Sequence, residues 1–502
     1  MNRSRADAFL LAVPHLDHSS ELPLYRQIYS GIREGILQGR LVPSLRLPSS
    51  RDLAELLGVS RNTVLNAFDL LLAEGYLDAQ TGAGTFVTEK LPEEYLNALQ
   101  RKAPEQAIPR RRTLSRRGAS FAQNHAAGRP ARLFPVFPHG IPDLAAFPFD
   151  VWSRLTAKRL RETPPYHFGY GQAPGGYEPL LQSIADYLGA ARAVRCTPEQ
   201  IVVVSGSQHG LFLAGQVLLD PGDRAWIEEP GYLGAHAALL YAGAEPVPVT
   251  VDAQGLDLAA AKRAVPARLA YVTPSHQLPL GYTMSLARRT RLLQWAANSD
   301  GWIVEDDYDS EFRYKGAPLP SLQGLDVNRR VIYVGTFSKT LFPGLRLGYL
   351  VVPEDLVEVF ITARNAVSLA PPFLAQAVVN DFLEQGHFSR HIRRMRRRYA
   401  RRRDVFVAAM QEELGDIVQL GPSDAGLHVT AWLPPELDDV LVWQRAQENE
   451  VTVLPLSWLC QQPPARKGLV LGFALAPEED IRSGVQRLAR AIEEATKMPP
   501  AP

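Results

Sequence analysis

The chain has almost no cysteine, no long apolar run, no excess of either charge and no internal repeat, and each absence removes a class of protein. Its two cysteines among 502 residues, Cys196 and Cys460, lie far apart, and neither has a cysteine or histidine at metal-ligand spacing. A disulfide scaffold and a zinc site are therefore not expected, no metal is assigned, and a reducing cytoplasm fits. The opening MNRSRADAFLLAVPHLDHSSE has a short apolar patch but no small-residue cleavage pattern, and nothing in the chain is long and apolar enough to span a bilayer, so no membrane partner is expected. With 54 Lys and Arg against 53 Asp and Glu, the net charge of +1 does not mark the whole chain as a polyanion binder. No solenoid period recurs.

What is present divides into two folding units and a tether. Residues 15–89 read as a small helical unit, 90–132 as a tether rich in Pro, Ala and Arg, and 133–496 as a large α/β unit; at 46% hydrophobic and 21% charged residues, the chain is ample for two cores. The tether has ten basic residues against three acids and no sustained apolar period. Its RRRTLSRR cluster at 110–117 reads as a solvating element, with non-specific phosphate contact as the alternative.

In the large unit the most informative segment is GTFSKTLFPGLRLG, residues 335–348. Lys339 offers an amine that can form an imine, Thr336 and Ser338 offer hydroxyls, and Arg346 offers a planar fork that matches phosphate bidentately. Upstream, EDDYDSEF at 305–312 follows a strand pattern and puts the carboxylate of Asp306 and the phenol of Tyr308 on one side of an extended backbone. These groups suit pyridoxal phosphate, whose ring withdraws electrons only while its nitrogen is protonated, a state that a buried carboxylate stabilises. Lys339 must lose its proton to attack the aldehyde, which desolvation or a nearby cation such as Arg346 promotes. A second phosphate element is read at 201–219, IVVVSGSQHGLFLAGQVLL: a buried strand, a turn and a helix. The amides of Gly206, Ser207 and Gln208 then lie at a helix N-terminus. Tyr232, in EEPGY, is placed to stack on the ring.

The small unit opens with ELPLYRQIYSGIREGILQGRL, in which Leu24, Ile28, Ile32 and Ile36 fall on one helical stripe. LPSSRDLAELLGVSRNTVLNAFDLLLAEGYL follows as helix, turn at Gly58 and a second helix capped by Ser60, which is helix-turn-helix spacing. Val64, Phe68, Leu71 and Leu72 face inward and leave Arg61, Asn62 and Thr63 exposed at the first turn, where base edges and phosphates are read. TGAGTFV at 81–87 is expected to form the tip and return strand of a wing. Six arginines and no lysine against eight acids in residues 21–89 give −2, which is not the footprint of a DNA reader. Position argues instead: Arg46, Arg51 and Arg61 fall at helix starts or the turns before them. Ser49, Ser60 and Thr85 complete the expected DNA-contacting set, and a protein-binding adaptor is the alternative.

SGSQHG, EEPGYLGA, YVTPSHQLPLGYTMSLARR, WIVEDDYDSEFRY and GTFSKTLFPGLRLGYLVVP, in this order, resemble the fold-type I aminotransferase domain of MocR-type regulators, the GabR-like branch of the GntR superfamily, over residues 135–490. LPSSR and its surroundings resemble the GntR winged helix. The resemblance implies a multidomain fold: an N-terminal winged helix-turn-helix, then an α/β fold-type I aminotransferase-like domain. It implies Lys339 as the Schiff-base lysine of pyridoxal 5'-phosphate, Asp306 at the pyridine nitrogen and Tyr308 at the phenolate oxygen. It further implies Arg346, Ser207 and Ser338 around the phosphate and Tyr232 on the ring. A tyrosine matching Tyr170 of HFGYGQAPGG would complete the phosphate cup of a neighbouring subunit in a domain-swapped homodimer. His276 and His428 fall on segments that line this pocket, with effector contact and structural support both open. The implied partners are operator DNA and a small effector, which is the cofactor itself, an amine or an amino acid. The implied setting is the bacterial cytoplasm, on the nucleoid when DNA is bound.

One departure bears on mechanism. Aminotransferases of this fold bind the substrate carboxylate with an arginine on the C-terminal strand, but here GLVLGFA puts Val470 at that position. The lost charge-assisted pair is worth about 1.5 to 3 kcal/mol. Arg466 is the candidate replacement, and HQLPLG at 276–281 stands in place of NPTG. HIRRMRRRYARRR at 391–403 keeps Ile392, Met395 and Tyr399 as an apolar stripe and is expected to be a packed helix with a solvated face. Two readings stand: a transcriptional regulator that senses the cofactor or an amine, and an aminotransferase with a fused helical domain. The missing arginine favours the first, with at most a residual half-reaction.

Overall fold

The computed structural model describes residues 16–80, 83–89, 113–115, 118–119, 134, 136–169, 174–316 and 320–497. Most of the expected tether, the opening segment, wing-tip positions 81 and 82, and Tyr170 lie outside them. The chain divides into two compact units, Met1–Thr113 and Leu114–Pro502, so the division falls within the segment read as a tether. Among the described residues no helix is long and apolar enough to cross a membrane.

The first unit packs α1 (Leu24–Leu37), α2 (Ser50–Leu57) and α3 (Arg61–Ala73) against the hairpin β1 (Leu77–Gln80) and β2 (Gly84–Val87). The i, i+4 stripe of α1 buries Ile28, Ile32 and Ile36 against Val64, Phe68 and Leu71 of α3. Helix α2 starts on Ser49, whose side chain accepts from the Asp52 N–H, and stops at Gly58 in the left-handed region at φ 65. Two residues later Ser60 caps α3, accepting from the Thr63 N–H. The wing has a third rung: residues 44–47 run along β2, with the Leu47 N–H donating to Thr85 O at 2.8 Å and the Val87 N–H to Leu45 O at 2.9 Å.

The second unit is built on an eight-stranded mixed sheet, in the order β3, β10, β9, β8, β7, β4, β5, β6. The strands are β3 (Ile201–Val204), β4 (Arg224–Glu229), β5 (Glu245–Asp252), β6 (Gly255–Leu256), β7 (Leu269–Val272), β8 (Trp302–Asp307), β9 (Val331–Thr336) and β10 (Gly348–Val351). Strand β10 runs antiparallel to both β3 and β9, while β9, β8, β7, β4 and β5 are parallel. Hence β3, β9, β8, β7 and β4 all end at one edge, where ligands of open α/β sheets bind. Runs such as IVVV and VIYV are apolar throughout because both faces are covered: Ile201, Val203 and Tyr333 enter one core, and Val202, Val204 and Ile332 another.

Helices α4 (Glu178–Arg192), α5 (Ser207–Leu218) and α6 (Leu233–Ala242) belong to this layered body. The long helix α7 (His387–Leu414) leads to a four-stranded antiparallel sheet, β11 (Gln419–Leu420), β12 (His428–Trp432), β14 (Gly468–Gly472) and β13 (Leu454–Pro455), against which α8 (Glu478–Thr496) packs. Helix α7 has the packed stripe and the solvated face expected, with Arg393, Arg394, Arg396, Arg397 and Arg401 exposed; its last two arginines depart from the pattern. Ile392, Met395 and Tyr399 are buried as expected, but Arg402 and Arg403 are buried too. Arg398 and Arg402 reach Asp143 at 2.8 and 2.9 Å, Arg394 donates to Ala146 O and Arg396 to Glu311 O. The buried Arg402 also donates to Ala474 O, so its planar guanidinium finds partners inside the fold.

Candidate functional site

The pocket forms where the strand ends converge. Lys339 follows β9, and its Nζ donates to Gly140 O at 2.6 Å. Burial lowers its pKa, against the raising influence of Asp309 and Asp306. Of the two causes the sequence offered, desolvation is the one at work; the Arg346 guanidinium lies instead at Gly206. Asp306, near the end of β8, is buried and accepts from the Tyr271 hydroxyl at 2.8 Å. Burial pushes its pKa up to about 7, and the Tyr271 bond only partly offsets this. Its other oxygen, Oδ1, is buried with no partner. A buried carboxylate with one unused acceptor is what a protonated ring nitrogen requires. The next residue, Asp307, anchors the strand end through Arg192 of α4 and the Tyr333 hydroxyl, each at 2.7 Å. Tyr308 lies just past β8, with its hydroxyl 2.9 Å from His276 O.

A second group of expected residues meets at the start of α5. Gly206 caps α5 at φ 89, a conformation that favours glycine, and Ser207 begins the helix. A Cβ on Gly206 would lie 3.5 Å from Arg346 Nη2, so this guanidinium sits over the helix start. Among the described residues Arg346 makes no salt bridge, which leaves it able to take an anion beside the amides of Ser207 and Gln208; the Gly206 amide, expected to join them, instead donates to Val204 O at 2.8 Å because the turn folds back on the strand end. Thr336 Oγ1 accepts from the Ser338 N–H at 3.1 Å and shapes the turn before the lysine. Tyr232 caps α6 and donates to Gln208 Oε1 at 3.1 Å, while the Gln208 amide donates to Gly234 O at 2.7 Å, so a side chain from α5 braces the aromatic ring. Lys339 and Tyr308 both lie near Asp306 at the strand ends, and Arg346 meets Gly206 at the start of α5. Tyr170 lies outside the described residues.

Several of the pocket's working parts gave no signal in the sequence. Tyr271, Gly140, Asp309 and His139 reach it only through folding. His276 Nδ1 lies 3.1 Å from both oxygens of Asp309, and the His276 and His428 rings are 4.8 Å apart. The donor atoms of these three residues fall within 4.8 Å of one another, a cluster that chain spacing could not announce. Burial, then His276, His139 and Lys339, hold the His428 pKa well below the usual imidazole value. Burial and Lys339 push His139 down to about 4. Both rings are neutral at pH 7.

Val470 is fully buried with Leu280, Leu456 and Leu459, opposite Thr430 on β12. Arg466 does not replace the absent guanidinium there: it bonds Gln419 Oε1 at 2.8 Å and lies over the Trp432 ring.

On the first unit, Arg61 and Asn62 are exposed at the start of α3, and the Arg61 Nε donates to Ser50 Oγ at 3.2 Å. Thr63, expected to be exposed, is half-buried, and its hydroxyl lies 2.8 Å from Ser60 Oγ, because the cap uses both side chains. Ser49 and Ser60 likewise serve as helix caps. Leu72 is only partly buried. Arg51 is exposed in the first turn of α2. Arg46 is not in a turn but bridges Phe86 beside Thr85, so its side chain belongs to the wing.

Residues 24–87 match the family Bacterial regulatory proteins, gntR family, and residues 153–488 match Aminotransferase class I and II. Fold and site together define a class, the helix-turn-helix regulators that carry an aminotransferase-type pocket for pyridoxal 5'-phosphate. The chain is similar to the probable rhizopine catabolism regulatory protein MocR of Rhizobium meliloti, 42% identical over 484 residues and 95% of each chain. It is similar also to the pyridoxine biosynthesis transcriptional regulator PdxR of Corynebacterium glutamicum, 32% identical over 93% of this chain and 95% of that one. Among solved structures, LysN, an alpha-aminoadipate aminotransferase of Thermus thermophilus complexed with N-(5'-phosphopyridoxyl)-L-leucine, matches with a TM-score of 0.68 and 31% identity. The match covers 76% of this chain and 99% of LysN. The chain belongs to the MocR-type transcriptional regulators of the GntR superfamily.

Proposed function

We propose that this regulator, with pyridoxal 5'-phosphate at Lys339, responds to the cofactor itself or to an amine whose recognition needs no carboxylate clamp, and transmits the event to operator DNA. When bound, the cofactor supplies an aldehyde that captures amines and a ring that withdraws electrons. The chain's own groups do the rest. Burial lowers the Lys339 pKa and so favours loss of its proton, Asp306 offers an unused oxygen to the ring nitrogen, and Tyr308 faces the phenolate oxygen. Arg346 and the amides of Ser207 and Gln208 hold the phosphate. On the first unit Arg61 and Asn62 read base edges, while Arg46 and Arg51 contact phosphates. The subunits pair, and a tyrosine matching Tyr170 completes the phosphate cup.

The observation that carries the effector class is Val470, enclosed by Leu280, Leu456 and Leu459 where a carboxylate-binding arginine would stand. A carboxylate placed against this apolar wall would be desolvated without a partner. Arg466, occupied by Gln419 and Trp432, does not supply one. Calorimetry on the cofactor-loaded protein tests the reading: simple α-amino acids should bind weakly, and tight binding of one would overturn it. Sustained turnover of a keto acid would support the aminotransferase reading instead, and a spectral shift without turnover supports the sensor. A mobility shift with the DNA upstream of the gene, with and without pyridoxal 5'-phosphate, tests the coupling.

A further inference from the structure

Beside Lys339 lies a histidine that packing alone does not explain. His276 is 2% exposed, and its Nδ1–H donates to Asp309, both of whose oxygens lie 3.1 Å away. The same nitrogen is 3.1 Å from the Tyr308 hydroxyl oxygen, and that hydroxyl donates to the His276 carbonyl at 2.9 Å. One residue thus supplies both polar contacts of the phenol. The other ring nitrogen, Nε2, is buried with no partner, a deficit of about 1 to 3 kcal/mol in an interior. The backbone also makes room for the ring: at Gly426, φ 77, a Cβ would lie 1.8 Å from His276 Cε1. A hydrocarbon side chain would fill this space without leaving a polar atom unsatisfied. The adjacent amide, Gln277, cannot take over the role, because it bonds the carbonyls of Pro230 and Leu278 at 2.9 and 2.6 Å.

We infer that His276, oriented by Asp309, is the positioning residue for Tyr308: it fixes the phenol that faces the cofactor's phenolate oxygen and so sets the pH at which the lysine-linked cofactor changes colour. This rests on the proposed seating of the cofactor at Lys339 and Tyr308. The charged and titratable groups around Tyr308 and Lys339 are Asp306, Asp307, Asp309, Glu228, His139 and His428. A substitution at His276 leaves all six in place, whereas one at Asp309 would itself alter the field at the lysine. His276 is therefore the position to change.

The visible absorbance of the loaded protein is titrated against pH in wild type, His276→Gln, Tyr308→Phe and the double variant. With the cofactor bound, the Tyr308 hydroxyl turns its one proton from the His276 carbonyl to the phenolate oxygen, and loss of that donor makes the adjoining nitrogen keep its proton to higher pH. Each single variant should raise the midpoint by about one pH unit, and the double variant should rise no further than Tyr308→Phe alone. An unmoved midpoint in coloured His276→Gln, or shifts that add in the double variant, would overturn the inference. His276→Asn is the second variant: if neither His276 variant folds while Tyr308→Phe does, the role is structural and the inference fails. A wild type that never colours would overturn the seating and this inference with it.

Discussion

Replacing Asp306 by asparagine isolates what the pocket asks of a carboxylate. In the cofactor-free protein Asp306 is buried with one oxygen unpaired, and burial raises its pKa from 3.8 to about 7. A carboxyl group whose folded pKa exceeds its unfolded value stabilises the fold below the unfolded pKa and loses that contribution as pH rises through the folded one. Each pH unit of displacement is worth about 1.4 kcal/mol. Relative to acid pH, Asp306 therefore costs the cofactor-free fold about 4 kcal/mol at pH 8, where it is ionised, and about 2 kcal/mol at pH 5, where the fold still holds a proton that the unfolded chain has lost. Asparagine has no such dependence, and any cost of its unpaired amide is the same at both pH values. The stability difference, variant minus wild type, should thus move in favour of asparagine by roughly 2 to 3 kcal/mol between pH 5 and pH 8. Urea unfolding of both cofactor-free proteins at the two pH values, followed by tryptophan fluorescence, measures it. Loading reverses the preference, because the ring nitrogen gives the carboxylate its missing partner, and the variant should release the cofactor at least about tenfold more readily. A stability difference that stays flat across pH would refute the account of Asp306 as a buried, unsatisfied carboxylate.

Lys339→Ala should abolish the visible band of the bound cofactor, while the first unit still shifts operator DNA on a gel; a persisting band would reject the lysine. Arg61→Ala should weaken operator binding without changing cofactor absorbance, since the two residues lie in separate units, and unchanged DNA affinity would remove it from the contact set. Ser60→Ala removes a cap that accepts from Thr63 and should lower the stability of the first unit by about 1 kcal/mol, readable as a fall in its melting temperature. Borohydride reduction followed by peptide mapping should modify Lys339 alone among the lysines of the large unit.

Much of the pocket was legible before folding because its chemistry constrains residue type and order. A lysine flanked by hydroxyls and followed by an arginine, a carboxylate two places before a phenol, and a glycine between an apolar strand and a helix each have a physical reason to be where they are. The helix-turn-helix was legible for the same reason: Gly58 and Ser60 are a stop and a start two residues apart. Local pattern misjudged what depended on neighbours brought in from elsewhere. Thr63 counted as exposed because the helix stripe says so, but its hydroxyl is drawn into the cap. Arg402 of α7 counted as solvated because charge favours water, yet Asp143 and the Ala474 carbonyl hold it inward.

The sequence by itself determined the two units, the order of elements and the identity of the groups able to hold pyridoxal 5'-phosphate, since these depend on residue type, periodicity and short spacings. Only the tertiary structure decided which groups those residues meet: the Gly140 carbonyl at the Lys339 amine, 199 positions away, Tyr271 at Asp306, Asp309 at His276, and an apolar wall around Val470. Such contacts are made by strands and loops that converge at one sheet edge, and a meeting of residues far apart in the chain leaves no local pattern to read.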